Sequence, residues 1–285
     1  MKNWNVRINY GIKTGCNEAF IISSEKRTEL IESDPNSADI IRPILRGRDI
    51  KRYGYEWDHL FIIATFPSLK YSIDDYPAIR EYLRSAIWSN EVPDGYGEKK
   101  LEQSGKTYNI NGVEIKSRKK TSNQWFEVQD QISYWEDFSK QKILWAETMR
   151  IHKNDWSNFP RFSYSEETIY TDKTCFVAIA QQNQLYILGF LNSAVGRYLL
   201  KRTVSILDNG GFLMQKMFIE TICIPTPLDR EKVARIEALV KESLSTETID
   251  IRMSIDKLFY EILGLETSEI KYIEDDNSVL YVRNK

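Results

Sequence analysis

The apolar positions of this chain fall into two periods. Short runs of consecutive β-branched and aromatic residues suit strands covered on both faces, and stripes at three- and four-residue spacing suit helices with one buried side. Ala19 to Ile22 is the first short run. Ser24 then stands where it can cap a helix carrying Leu30 and Ile31, and Asp34-Pro35-Asn36-Ser37 marks a loop. Leu60 to Thr65, Ile143 to Ala146 and Thr174 to Ala180 read as further buried strands. Asp75 is placed to cap a helix with Pro77 in its first turn and Ile79, Leu83 and Ile87 as its apolar stripe. A longer helix is predicted from Leu185 to Arg202, with Leu188, Leu191, Val195 and Leu199 facing inward. Pro225 and Pro227 close this mixed part. Beyond them the pattern is purely helical. Val233, Ile236, Val240 and Leu244 form one stripe, and Ile251, Ile255, Leu258, Phe259 and Ile262 form a second that Gly264 ends. The division expected is a mixed unit over residues 1–225 and a helical tail over 226–285.

Residues 90–125 depart from this pattern. They are polar and contain Gly95, Gly97, Gly105 and Gly112. Tyr108 to Lys116 reads as a hairpin turning at Asn111-Gly112, a dipeptide suited to a type I′ turn. The hairpin leads into Lys116, Arg118, Lys119 and Lys120, and the whole stretch is expected as a surface excursion from the core.

Composition changes the picture mainly by exclusion. With 42% hydrophobic and 28% charged residues the chain has the make-up of a soluble globular protein. It has no apolar run near the ~20 residues that cross a bilayer and no secretory signal pattern, so a cytoplasmic location is expected and no membrane partner. Cys16, Cys175 and Cys223 are far apart and odd in number, with only His59 and His152 as imidazoles, so neither a zinc site nor a disulfide framework is expected. The net charge of −2 does not announce a nucleic-acid partner. Its distribution does more. Residues 226–285 hold nine Lys/Arg against thirteen Asp/Glu, so residues 1–225 carry a small positive excess. Any DNA site must be a local patch on the larger part.

Two motif coincidences are weak. Gly11-Ile-Lys-Thr-Gly15 lacks the Gly-x4-Gly-Lys-Ser/Thr spacing of a phosphate loop, and its glycines are better read as permitting a tight backbone. Pro93-Asp94 with Glu114-Ile115-Lys116 matches the Pro-Asp…Glu-x-Lys pattern of Mg²⁺-dependent nucleases. That chemistry needs both carboxylates on adjacent strands of a buried sheet, whereas Asp94 sits in a turn sequence and Glu114 on the hairpin. A nuclease of this kind, or a protein-interaction module with an incidental basic patch, is the alternative function.

Tyr10-Gly-Ile-Lys-Thr-Gly-Cys-Asn-Glu-Ala-Phe20 followed by Ile44-Leu-Arg-Gly-Arg-Asp-Ile-Lys-Arg-Tyr53 resembles the opening of the TaqI-like C-terminal specificity (target-recognition) domain. That domain is found in type IIG restriction-modification enzymes and N6-adenine DNA methyltransferases. The resemblance continues through Trp125-Phe-Glu, Phe138 to Trp145, Leu188-Gly-Phe-Leu-Asn-Ser193, Lys216 to Pro225, and the tail with Leu263-Gly-Leu265 and Glu269-Ile270. It implies an α/β (mixed α+β) fold with a twisted mixed sheet and a C-terminal helical tail, reading double-stranded DNA without chemistry of its own. It also implies a methyltransferase domain, and in some enzymes a nuclease domain, on the N-terminal side of the same polypeptide or in the same complex. S-adenosylmethionine and Mg²⁺ are expected only there, because this chain has neither an Asn-Pro-Pro-Tyr/Phe tetrapeptide nor a Phe-x-Gly-x-Gly loop. No cofactor is expected here.

On this reading three segments are candidates for DNA contact. Lys13, Thr14 and Asn17 lie on the glycine loop, where a purely structural role is equally open. Arg46, Arg48, Lys51 and Arg52, with Arg42 nearby, form a basic cluster suited to guanine edges or phosphates, though Arg48 and Asp49 can instead pair within the fold. Lys116, Arg118, Lys119, Lys120, Asn123 and Gln124 combine phosphate-binding cations with amides that can read adenine. A disordered basic loop is the alternative for this last group. Trp125 and Phe126 are expected to anchor it to the core.

Overall fold

The computed structural model describes residues 1, 4–151, 155–208, 210–226 and 229–279, excluding the side chain of Trp156. His152, Asn209 and Pro227 of the sequence reading lie outside these residues. From the N-terminus, β1 (Arg7–Tyr10) leads through α1 (Asn17–Phe20) to β2 (Ile21–Ile22), α2 (Ser24–Ser33), β3 (Ile41–Leu45) and β4 (Phe61–Ile63). Helices α3 (Pro77–Ser85) and α4 (Gly97–Leu101) precede a hairpin of β5 (Thr107–Ile110) and β6 (Val113–Lys116). Then come β7 (Lys142–Ala146), β8 (Thr148–Met149), β9 (Ser163–Ser165), β10 (Tyr170–Thr171) and β11 (Cys175–Ile179). The chain ends in α5 (Gln184–Asn192), α6 (Ala194–Thr203), β12 (Ser205–Ile206), β13 (Phe212–Leu213), α7 (Lys216–Ile219), α8 (Arg230–Ser245), α9 (Ile249–Leu263) and α10 (Thr267–Asn277).

The centre is an antiparallel sheet in the order β1-β11-β7-β9. Both its faces are covered, which is why β7 and β11 read as unbroken apolar runs rather than alternations. Successive side chains go to opposite faces. Ile143, Trp145, Phe176 and Ala178 join a core with Tyr186, Phe190, Ile236, Val240 and Phe259. Leu144, Cys175 and Val177 join a second core with Phe20, Ile44, Ile62 and Phe66. One sheet thus partitions two hydrophobic clusters. The mixed sheet expected from the sequence is present beside it in the order β10-β3-β4-β2, with β10 parallel to β3 and the other pairs antiparallel. The architecture is mixed α/β, spread over several small sheets.

Local departures have local causes. Ala19 and Phe20 close the short helix α1, so the predicted run supplies only two strand residues. Ser23, not Ser24, caps α2, accepting from the Lys26 amide at 3.3 Å. Asp34-Pro35 opens a 3₁₀ turn. The N-cap of α3 is Tyr76, not Asp75, and α3 stops at Ala86 in the left-handed region. Ile87 therefore falls outside the stripe, 61% exposed. The predicted helix over 185–202 is two helices. Ser193 leaves helical geometry, donates to the Phe190 carbonyl and caps α6 through the Gly196 amide. Asn192 beside it exchanges two hydrogen bonds with the Phe162 backbone. The apolar stripe runs across the break and so conceals it. Both tail stripes, on α8 and α9, pack into the first core. Gly189 of α5 meets α8 so closely that a Cβ would lie 2.8 Å from Val240 Cγ2.

Candidate DNA-recognition cleft

The ends of β3, β7 and β10 converge on one open cleft of about 700 Å³. It is lined by Arg46, Arg48, Lys51, Glu147, Thr148, Arg150, Asn158, Arg161, the buried Asp172 and the exposed Thr174. Five cations and two carboxylates line it, and Asp49, Glu56 and Asp58 stand against the cations of the Arg46–Lys51 segment, so Arg150 and Arg161 are the lining cations without such a neighbour in that segment. Backbone hydrogen bonds hold the turns that follow β3 and β10. The Arg46 amide donates to Asp49 Oδ2 at 2.8 Å, and the Asp172 amide donates to the Leu45 carbonyl at 2.9 Å. Burial pushes the Asp172 carboxyl above its ordinary value, opposed by hydrogen bonds from Thr174.

The candidate cations are sorted by their partners. Arg48 is open: its side chain is 69% exposed, with carboxylates no closer than 3.7 Å. Lys51 is half-exposed and paired with Glu56 at 3.0 Å. Arg46 is 19% exposed and held between Asp49 and Asp58. Arg52 turns inward instead. It donates to the carbonyls of Pro160 and Ser157 and pairs with Glu247 at 3.2 Å, with 5% of its side chain exposed. It ties the basic segment to the helical tail and does not face the cleft. Arg42 is committed to the carbonyls of Ala38, Asp39 and Ile41.

The other two segments lie outside the cleft lining. Gly11 sits against Asp172 so tightly that a Cβ would be 1.8 Å from its carbonyl oxygen, and Gly15 has φ +79°. Both glycines serve a tight backbone, as the sequence suggested. Thr14 is buried and donates to Asn17 Oδ1 at 2.6 Å, whereas Lys13 is exposed. Arg118 is the largest departure. Its guanidinium is buried and donates to the carbonyls of Leu101, Thr14 and Trp125, each at 2.7 Å. Burial lowers its pKa to about 10, so it stays cationic at neutral pH. Asn123 likewise bonds the Val128 and Gln129 carbonyls and accepts from Gln131. The segment is therefore a braced loop, pinned by Arg118 and Asn123, with Phe126 buried and Trp125 half-buried as its expected anchors. Lys116, Lys119, Lys120 and Gln124 remain exposed on it.

Asp94 lies in an exposed turn and Glu114 on the exposed face of the hairpin, so the nuclease arrangement of adjacent buried strands is not formed. Among the described residues no group of three His, Cys, Asp or Glu is placed to hold a metal, and no helix is long and apolar enough to cross a membrane. The sequence reading did not single out Arg150, Arg161, Asp172 or Thr174 as site residues. The available signal was their place beside strands: Glu147-Thr-Met-Arg150 follows β7 directly, and Asp172 to Thr174 precedes β11.

The profile of the TaqI-like C-terminal specificity domain matches residues 42–217, more than half of the chain. The chain belongs to this family. Among solved structures, it is similar to the type IIL restriction-modification enzyme MmeI, determined in complex with DNA. The TM-score is 0.58 at 13% identity, covering 95% of this chain and 35% of that one. It is also similar to the type IIG restriction endonuclease BpuSI, with a TM-score of 0.55 at 11% identity, covering 97% of this chain and 30% of that one. The chain thus spans about a third of the length of these enzymes. No curated protein matches it by sequence.

Proposed function

We propose that this chain is the double-stranded DNA specificity module of a type IIG-like restriction-modification enzyme, and that it performs no methyl transfer or cleavage itself. The observation that carries the reading is the cleft. Exposed Arg48 and Lys51 lie on and just after the 3₁₀ turn that follows β3, and Arg150 directly follows β8, an arrangement that can present side chains to base edges. Residues 1–225 hold the reading surface, and the tail 226–285 supports it from behind. Lys13, Lys116, Lys119 and Lys120 supply phosphate contacts beyond the cleft. Thr14, Arg52, Arg118 and Asn123 act as braces. The partner is a methyltransferase domain, with or without a nuclease domain, acting in the cytoplasm. S-adenosylmethionine and Mg²⁺ belong there.

Recovery of a preferred sequence from a random duplex pool tests this reading. Arg48→Ala is expected to lose about 1–3 kcal/mol on the preferred duplex and almost nothing on a scrambled one. Charge reversal at Lys119 is expected to weaken both equally and flatten the salt dependence. Equal binding of all duplexes by the unmodified chain would refute a specificity role.

A further inference from the structure

One exposed residue of the cleft lining joins the two segments that carry Arg46, Arg48 and Arg150. The Thr174 carbonyl accepts from the Glu147 amide at 2.7 Å, and its hydroxyl oxygen accepts from the Gly47 amide at 2.8 Å. The hydroxyl proton is itself donated to Asp172 Oδ1, which also accepts from the Thr174 amide at 2.9 Å. Asp172 is 3% exposed and donates from its own amide to the Leu45 carbonyl, one residue before Arg46. The hydroxyl is therefore used as both donor and acceptor, and its orientation is fixed by a buried carboxylate. Gly47 leaves no slack on the other side: a Cβ there would lie 3.0 Å from both the Thr174 carbonyl oxygen and Oγ1.

We propose that Thr174 is a positioning residue for base recognition, holding the turn of Arg46 and Arg48 and the segment from Glu147 through β8 to Arg150 at one spacing. The inference rests on the DNA-reading role of the cleft and adds what sets its register. Phosphate contacts tolerate displacement because a charge acts over several ångströms. Bidentate base contacts do not, because both hydrogen bonds must align. Loosening the clamp should therefore cost discrimination and leave general DNA affinity in place.

The test uses the full chain, the duplex it enriches from a random pool, and a scrambled duplex of equal length. Thr174→Val keeps the shape and removes the hydroxyl. It is expected to cut the ratio of cognate to scrambled affinity by about tenfold, the scale of one or two well-placed hydrogen bonds. Scrambled affinity and the salt slope should not change, since no cation is lost. Thr174→Ser should restore the ratio. Gly47→Ala, which crowds the Thr174 carbonyl and hydroxyl oxygens without removing either, should reproduce the loss, and combining it with Thr174→Val should add little. Gly47→Ala carries the test alone if Thr174→Val does not fold. A wild-type ratio in either variant, an equal fall on both duplexes, or failure of Ser to rescue overturns the proposal. An unmodified chain that enriches no sequence overturns instead the DNA-reading role, and the inference with it.

Discussion

Arg48 and Arg118 look alike in the sequence, each a basic residue in a basic run, yet they do opposite work. Arg48 offers its guanidinium to solvent, whereas Arg118 spends its donors on three carbonyls inside the protein. Arg118→Met should strand those carbonyls and cost about 3 kcal/mol or more of stability. Urea unfolding would show the loss, and the salt slope of DNA binding would stay unchanged because no phosphate contact is removed. The clusters of positive charge were legible in the sequence. Which cations face outward was not, because burial depends on partners remote in the chain, such as Glu247 for Arg52. Lys142 belongs with the buried set. It lies in β7 with its ammonium donating to the carbonyls of Lys140 and Glu167, and desolvation lowers its pKa to about 8. The unfolded chain, with an ordinary lysine near 10.4, then binds the proton more tightly than the native one. This residue's contribution is lowest below about pH 8 and rises with pH up to the unfolded value, by ~3 kcal/mol in all. Urea midpoints at pH 7, 9 and 10 should show that rise in the wild type relative to Lys142→Met. Parallel pH profiles would contradict it.

At the scale of elements, hydrophobic periodicity reveals what is buried more faithfully than where an element ends. The strands β7 and β11 are legible because both of their faces are covered, and the two tail stripes because α8 and α9 each bury one side. The break at Ser193 is invisible because α5 and α6 continue one apolar face across it, and the end of α3 because Ile87 keeps helical spacing after the helix has stopped. The contact of α5 with α8 gives a prediction whose sign runs against propensity. Glycine inside a helix ordinarily costs about 0.5–1 kcal/mol relative to alanine. At Gly189 the added methyl would meet Val240 Cγ2 at 2.8 Å and Ile236 Cγ2 at 3.3 Å. Val240 is β-branched and stiff, so Gly189→Ala should destabilise by about 1–3 kcal/mol. The double variant Gly189→Ala, Val240→Ala should recover part of that, measured as non-additivity in a thermal or urea series. A stabilised Gly189→Ala would show that the helices move apart at little cost.

Across the whole molecule, the two hydrophobic clusters are joined through one sheet. Trp145 and Phe176 stack on one face at 5.4 Å between ring centroids, while their neighbours Leu144 and Val177 fill the other. Neither cluster can lose its packing without exposing the strands that serve its neighbour. A single calorimetric transition is therefore expected, with its calorimetric and van't Hoff enthalpies equal. Two resolved transitions would separate the clusters. The same joining bears on how far a sequence preference can be moved between enzymes. A graft cut at residue 225 would carry the cleft but leave behind Ile236, Val240, Ile255 and Phe259, all but fully enclosed in the intact chain. At about 1.5–3 kcal/mol for each such side chain, the omission is comparable with the entire ~5–15 kcal/mol stability of an ordinary domain. The helices never touch the cleft, yet they travel with it: the transplantable unit runs through the end of α10.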